Sequence, residues 1–390
     1  MQAREKELAD GLQVLAEKQL YRRRRLVERS QASPLLNVDG RERLVFCSND
    51  YLGLAHDPRL IAAQQESAAR WGSGSGASHL VTGHCSEHHA LEEEIADFTG
   101  RTRALLFSTG YMANLGVVDA LASRGDLIVS DDLNHASLID GARISGATVE
   151  RFRHADPVSA RESFDKHSFR RGLIISDGVF SMDGDVAPLL ELADVADSAQ
   201  AWLVIDDAHG LGVLGPGGGG CVAAAELGEQ QVPALIGTFG KAFGSFGAFV
   251  AGSESLIETL INKARTYVFT TALPAPVAAA SRCALAIARQ EGWRREHLAS
   301  LIQRFRKGVA ALGFDLLQSN TAIQPILIGD AGLALKVSEE LWELGFWVAA
   351  IRPPTVPDGS SRLRVTLSAA HEPQQVDDLI DALSRCASLK

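Results

Sequence analysis

The sequence predicts an α/β fold: a large domain with a mostly parallel sheet covered by helices, plus a smaller carboxyl-terminal α+β domain. Three observations carry this. Short apolar runs rich in branched residues alternate with helical patterns between residues 104 and 237, which is the βαβ signature of a parallel sheet. Each run stops in small, acidic or imidazole residues, as strands that open on a ligand cleft do. Beyond Pro274 the pattern changes to long helices followed by short strands. A chain of 390 residues exceeds one ordinary core. The expected divisions are a helical segment at 1–45, the large domain at 46–275 and the α+β domain at 276–390.

Taken in order, residues up to about 28 read as a helix with Leu8, Leu12, Leu15 and Leu20 on one side. A short strand at 44–47 leads into the turn-rich stretch Ser48, Asn49, Asp50, Tyr51, and Pro58 sits in the first turn of a helix. Residues 71–76 read WGSGSG, a stretch that allows close backbone approach or acts as a hinge. A helix at 86–98 precedes the first large-domain strand at 104–107. There Ser108, Thr109 and Gly110 turn into a helix at 111–121, and such a helix start is an anion site because free amides and the helix dipole converge on it. A phosphate is the natural guest. The strand at 127–129 runs into Asp131, Asn134 and His135, and the one at 173–175 into Asp177, Ser181 and Asp183. The strand at 202–205 ends in Asp206, Asp207 and His209, and the one at 234–237 in Thr238, Gly240 and Lys241. In the last domain, helices are expected at 276–289, 297–312, 331–344 and 373–384, with strands near 323–328, 346–351 and 363–367.

Composition bounds the function. The hydrophobic fraction is 46% and the charged fraction 22%, as in a packed globular protein. A net charge of −10 argues against nucleic-acid binding, which needs a basic face; Arg22, Arg23, Arg24 and Arg25 form the local exception. Five cysteines without a CxxC pair suggest neither a disulfide framework nor a zinc ribbon. A charged amino terminus and the lack of a long apolar run argue against a signal peptide or a membrane span. A cytoplasmic protein is expected.

The chemistry points to Lys241. A lysine between Gly240 and Gly244, flanked by hydrophobic segments, is poorly placed as a solvated surface charge. Desolvated near the Asp206 carboxylate, its amine can lose a proton and act as a nucleophile toward an aldehyde. On the residues alone a strand-end salt bridge explains the pair equally well. Other matches are weaker. Gly210, Gly212 and Gly215 fit GxGxxG, but Pro216 and the glycines that follow cannot open the helix a dinucleotide site needs. Gly240-Lys241 lacks the rest of a phosphate-binding P-loop. His84, His88 and His89 sketch a metal site, with 84 and 88 on one helix face, yet no HExxH is present, so a solvated helix start is the reading adopted and no metal is expected.

The ordered motifs SNDYLGL at 48–54, STGYMAN at 108–114, NHAS at 134–137, DGVFSMDGD at 177–185, VIDDAHGLGVLG at 204–215 and TFGKAFG at 238–244 resemble the α-oxoamine synthases. That family has fold type I, depends on pyridoxal 5'-phosphate (PLP), and joins an amino acid to an acyl thioester with loss of carbon dioxide. The resemblance spans nearly the whole chain. It implies Lys241 as the lysine that bonds the cofactor and serves as base, Asp206 at the pyridinium nitrogen, and His209 and Ser181 near the phenolic oxygen. It implies His135 stacked on the ring, and Gly110, Tyr111 and Thr238 at the phosphate, with Thr270 or Thr271 reaching in from a second subunit of a homodimer. Arg364 and Asn49 would take the amino-acid carboxylate. Strand alternation places Arg362 and Arg364 on one face, and only the family match selects Arg364. The run at 350–372 is most similar to members that use L-alanine and a pimeloyl thioester, with Arg23 a candidate for the acyl end. A sibling using glycine or serine, a member that has lost catalysis, and a hydrolase using the 84–89 histidines are the alternatives. Whether the acyl group arrives on coenzyme A or a carrier protein stays open.

Overall fold

The computed structural model describes residues 2–18, 20–28 and 34–387. Helix α1 (Gln2–Glu17) begins the chain, but the helix predicted up to residue 28 stops there. The four arginines that follow carry no regular secondary structure, and the chain then enters β1 (Val27–Glu28). Leu8, Leu12 and Leu15 stand exposed on this chain. No buried face therefore rewards continuing the helix, which is what stabilises most helices in proteins. β2 (Leu35–Val38) and β3 (Arg41–Val45) form a hairpin about Asp39 and Gly40, both at positive φ. That is the two-residue turn whose twist matches paired strands. β3 also pairs in parallel with Phe346–Trp347, so residues 35–45 are strand rather than helical arm and belong to a sheet shared with the carboxyl-terminal part.

Asp57 caps α2 (Pro58–Trp71), its carboxylate accepting from Arg59 N at 3.0 Å and pairing with Arg59 and Arg294. A π-helical turn at His79–Gly83 leads to α3 (Ser86–Thr99). The central sheet follows: β4 (Arg103–Phe107), α4 (Gly110–Leu121), β5 (Leu127–Asp131), α5 (Ala136–Ser145), β6 (Thr148–Phe152), α6 (Pro157–Asp165), β7 (Gly172–Asp177), α7 (Leu189–Ser198), β8 (Ala201–Asp206), α8 (Gly220–Ala224), β9 (Ala234–Thr238) and β10 (Ala248–Gly252). The strand order is β4-β10-β9-β8-β7-β5-β6. β10 alone is antiparallel to its neighbours, so the other strands all point the same way. Their carboxyl ends therefore meet along one edge.

Alternation along each strand divides the core in two. Leu105, Ile128, Ile175, Val204 and Ile236 pack under α4, α5 and α9 (Glu254–Lys263). Leu106, Val129, Ile174, Ile205 and Leu235 face the opposite way, toward α3, α6 and α7. Burying each such side chain contributes about 1.5–3 kcal/mol, so a slip of register by one residue would forfeit both cores at once.

After a short α10 (Arg265–Val268), α11 (Ala275–Gln290) packs along α2 and α3 rather than on the strands that follow it. α12 (Trp293–Ala311), β11 (Asp315–Leu316), β12 (Ile323–Gly329), α13 (Ala331–Glu343), β13 (Phe346–Trp347), β14 (Ala349–Ile351), β15 (Ser361–Thr366) and α14 (Pro373–Cys386) complete the chain. The run predicted as one strand at 346–351 is two: β13 joins the β1-β2-β3 sheet and β14 the antiparallel β11-β12-β15-β14 sheet. No described helix is long and apolar enough to cross a membrane.

Candidate active site

At the carboxyl edge of the central sheet lies a cavity of about 210 Å³ lined by Gly110, Tyr111, Asn114, His135, Ser137, Asp177, Ser181, Asp206, Ala208, His209, Thr238 and Lys241. It gathers residues that the sequence distributes over more than 130 positions. Each is aimed by its element. The loop after β9 is pinned by Phe239 and Phe243, both fully buried, with Lys241 between them. Gly244 closes the loop at φ +61°, where a Cβ would lie 2.2 Å from Ala55 N, so only glycine lets the segments approach.

Lys241 Nζ lies 2.9 Å from His209 Nε2. Burial lowers the amine's basicity, countered by the charges of Asp206 and Asp177. Burial also drives His209 well below the usual imidazole range, so that ring stays neutral. On its other side, His209 Nδ1 is 2.6 Å from the Tyr51 hydroxyl, which reaches Asn49 Oδ1 at 3.1 Å. Asn49 Oδ1 in turn accepts from Nη1 and Nη2 of Arg364, each at 3.3 Å. A continuous hydrogen-bonded chain thus links Lys241 to Arg364.

The opposite wall is acidic. Asp206 Oδ2 accepts from Asn114 Nδ2 at 2.6 Å and Oδ1 from Ala208 N at 3.0 Å. Asn114 Nδ2 also reaches Ser137 Oγ at 2.8 Å, and that oxygen lies 2.6 Å from His135 Nδ1. Asp177, which pairs with Asp206 across β7 and β8, accepts from His135 N at 2.7 Å. Its carboxyl is raised well above the usual range by burial and by the charge of Asp206. Burial lowers His135 as well.

At the third wall, Thr109 caps α4 by accepting from Met112 N at 3.2 Å. The amides of Gly110 and Tyr111 then have no protein acceptor among the described residues, which makes the start of α4 an anion cradle. Thr238 Oγ1 stands nearby, bonded to Gly247 O and Gly240 N. Asn114 Oδ1, on a residue that lines the cavity, is buried without a partner among the described residues.

Arg362 and Arg364 do share a face, and their partners separate them. Arg362 is paired with Asp183. Arg364 donates from Nε to Ser181 O at 2.5 Å and from Nη1 to Thr366 Oγ1 at 3.0 Å, and no carboxylate pairs with it among the described residues. Arg23 is elsewhere, in a cleft lined by Arg22, Arg24, Arg25 and Arg352. Thr270 and Thr271 do not line the cavity within this chain. Sequence reasoning assigned no role to Tyr51, Asn114, Ser137 or Asp177. Asp177 ends its strand as Asp206 does, and Asn114 lies one turn into the helix whose start was read as an anion site, so both carried a signal. The expectation that His84 and His88 share a helix face is not met: His84 precedes the Cys85 cap of α3.

The match to known proteins is extensive. The family model described as aminotransferase class I and II fits residues 41–383. An 8-amino-7-oxononanoate synthase of Cellvibrio japonicus is 58% identical over 93% of this chain and 91% of its own. One of Thioalkalivibrio sulfidiphilus is 57% identical over 97% of each. Among solved structures, a serine palmitoyltransferase from S. paucimobilis with bound PLP superposes with a TM-score of 0.93 at 30% identity, covering 99% of this chain and 98% of that one. An 8-amino-7-oxononanoate synthase from Francisella tularensis gives 0.78 at 30% identity, covering 88% and 97%. The fold is thus that of the fold-type I PLP transferases, and the chain belongs to the 8-amino-7-oxononanoate synthase family within aminotransferase class I and II.

Proposed function

We propose that the protein is an acyltransferase that condenses L-alanine with a pimeloyl thioester, giving 8-amino-7-oxononanoate, carbon dioxide and the free thiol. One observation carries the reading: a buried amine of lowered basicity and a guanidinium without a carboxylate partner among the described residues are joined by one hydrogen-bonded chain beside the same cavity.

The residues present fit pyridoxal 5'-phosphate. The bare amides of Gly110 and Tyr111 with Thr238 would hold its phosphate, Asp206 its ring nitrogen, His209 and Ser181 its phenolic oxygen, and His135 would lie against the ring. Bound there, the cofactor supplies an aldehyde for the amine and an electron sink for the pair left at the substrate α-carbon.

Lys241 is the base at that α-carbon, and its suppressed basicity keeps a share of it neutral. Asp206, oriented by Asn114, keeps a proton on the ring nitrogen. Arg364 grips the amino-acid carboxylate and sets which bond at the α-carbon faces Lys241. The carbanion displaces the thiol from the acyl carbon, the carboxylate leaves as carbon dioxide, and Lys241 returns the proton.

The holoenzyme supplied with pimeloyl thioester is expected to release thiol and carbon dioxide with alanine at least about tenfold faster than with glycine or serine, the discrimination one methyl or hydroxyl contact supports. A preference for glycine or serine would assign it to a sibling reaction. Leu80, Val81 and Phe269 stand exposed on elements in contact, the π-helical turn and the end of α10. An apolar patch of this kind supports a homodimer; a monomeric mass in sedimentation would remove that part of the reading.

A further inference from the structure

Four imidazoles crowd the start of α3. His84 lies within 5.3 to 6.1 Å, ring centre to ring centre, of His79, His88 and His89. They differ in what they have left to offer. His88 is fully committed: Nδ1 accepts from Cys85 N at 3.1 Å and Nε2 donates to Leu273 O at 2.5 Å. His79 is buried, stacked on Tyr267 at 5.2 Å, with Nδ1 3.1 Å from His84 Nδ1. His84 and His89 are exposed and keep a ring nitrogen for something else; His89 pairs with the exposed Glu93 at 3.4 Å.

One turn along α3 from His89, Glu92 brings a carboxyl that accepts from Leu106 N through Oε1 at 3.0 Å. No Lys or Arg nitrogen lies within ion-pair distance of it among the described residues, and burial raises it to about 7. It is an acid set partly out of water, with Arg103 acting on it only from beyond ion-pair distance.

We propose that His84, His89 and Glu92 bind one zinc-class divalent cation, with His79 as the residue that orients His84. The three offer one donor atom each, all within 4.8 Å of one another. A tetrahedral zinc holds its ligand atoms about 3.4 Å apart, so a set spread within 4.8 Å must close by up to about 1.4 Å. The two exposed histidines are free to make that move. Two nitrogens and one carboxylate oxygen suit zinc, cobalt or nickel better than magnesium or calcium, and leave a fourth position for water. The contact between His79 and His84 has the form of a metal-bound imidazole handing its second nitrogen to a partner that fixes its orientation. The ion would tie the turn at His79–Gly83 to α3. Its neighbour is the segment around Leu273, whose carbonyl His88 and Ser75 both hold.

The test uses the full-length holoenzyme, free of any affinity tag and stripped with chelator, titrated with zinc and separately with cobalt. One equivalent per chain is expected, with the visible bands of a four-coordinate cobalt site and an unchanged cofactor spectrum. His84→Gln and His89→Gln, both surface changes, are each expected to weaken binding at least tenfold, and His79→Gln by roughly tenfold or more; Cys85→Ser should leave it intact. Binding equal in wild type and both surface variants, loss on Cys85→Ser alone, or no uptake at all would each overturn the assignment.

Discussion

Replacing Lys241 by alanine is expected to reduce turnover by more than about a thousandfold, the scale of losing a positioned base together with the group that bonds the cofactor. The variant should fold normally. The loop is fixed by Phe239 and Phe243 in the core and by Gly244 N donating to Lys241 O at 2.9 Å, a backbone contact that alanine keeps. The size of the effect follows from basicity. A lysine at its ordinary value near 10.4 is neutral in roughly one molecule in 2,500 at pH 7, and each unit of depression multiplies that share about tenfold. Burial moves Lys241 in that direction, and the carboxylates of Asp206 and Asp177 limit how far. Two readouts check the assignment: single-turnover rates of the variant, and borohydride treatment of the holoenzyme, which should fix the cofactor at position 241 in wild type and nowhere in the variant. Ordinary turnover by pure Lys241→Ala protein would end the assignment.

The central sheet was legible because its strands are buried on both faces. Runs such as LVI before Asp206 have nowhere to go but a parallel strand, and their ends had to share an edge. Lys241, Asp206, His135, His209, Gly110 and Thr238 meet at that edge for the same reason. β10 escaped because FVAG carries no polar break that marks it as antiparallel. The Asp39-Gly40 hairpin was missed although Asp-Gly is among the strongest local turn signals; the helical stripe assigned to the preceding segment obscured it. Leu8, Leu12 and Leu15 have a helical period on a helix that buries none of them in this chain, so periodicity gave the helix and could not give its end. Tyr51 and Asn49 act through the fold. Nothing in SNDYLGL says that a hydroxyl will meet an imidazole 158 positions away.

The second large effect is expected at Arg364. Truncation to alanine should lower kcat/KM for alanine by about a hundredfold, corresponding to roughly 3 kcal/mol for two charge-assisted hydrogen bonds to a carboxylate, while the holoenzyme keeps its cofactor. The geometry separates this arginine from Arg362 two residues earlier. Arg362 is already neutralised by Asp183, so removing it leaves a half-buried acid unpaired and should appear as lost stability. Arg364 has its flat group braced from behind by Ser181 O and Thr366 Oγ1. Asn49 Oδ1, 3.3 Å from both terminal nitrogens, makes two long bonds that a substrate carboxylate can replace with shorter ones. Because the same Asn49 oxygen accepts from Tyr51, and Tyr51 touches His209, filling this position also acts on the chain that ends at Lys241. Arg364→Lys should rescue little, since a single ammonium cannot reproduce two parallel bonds. Steady-state kinetics of Arg364→Ala, Arg364→Lys and Arg362→Ala, read beside their melting temperatures, distinguish the roles. A normal kcat/KM for alanine in Arg364→Ala, with the loss found in Arg362→Ala, would transfer the carboxylate site from one arginine to the other.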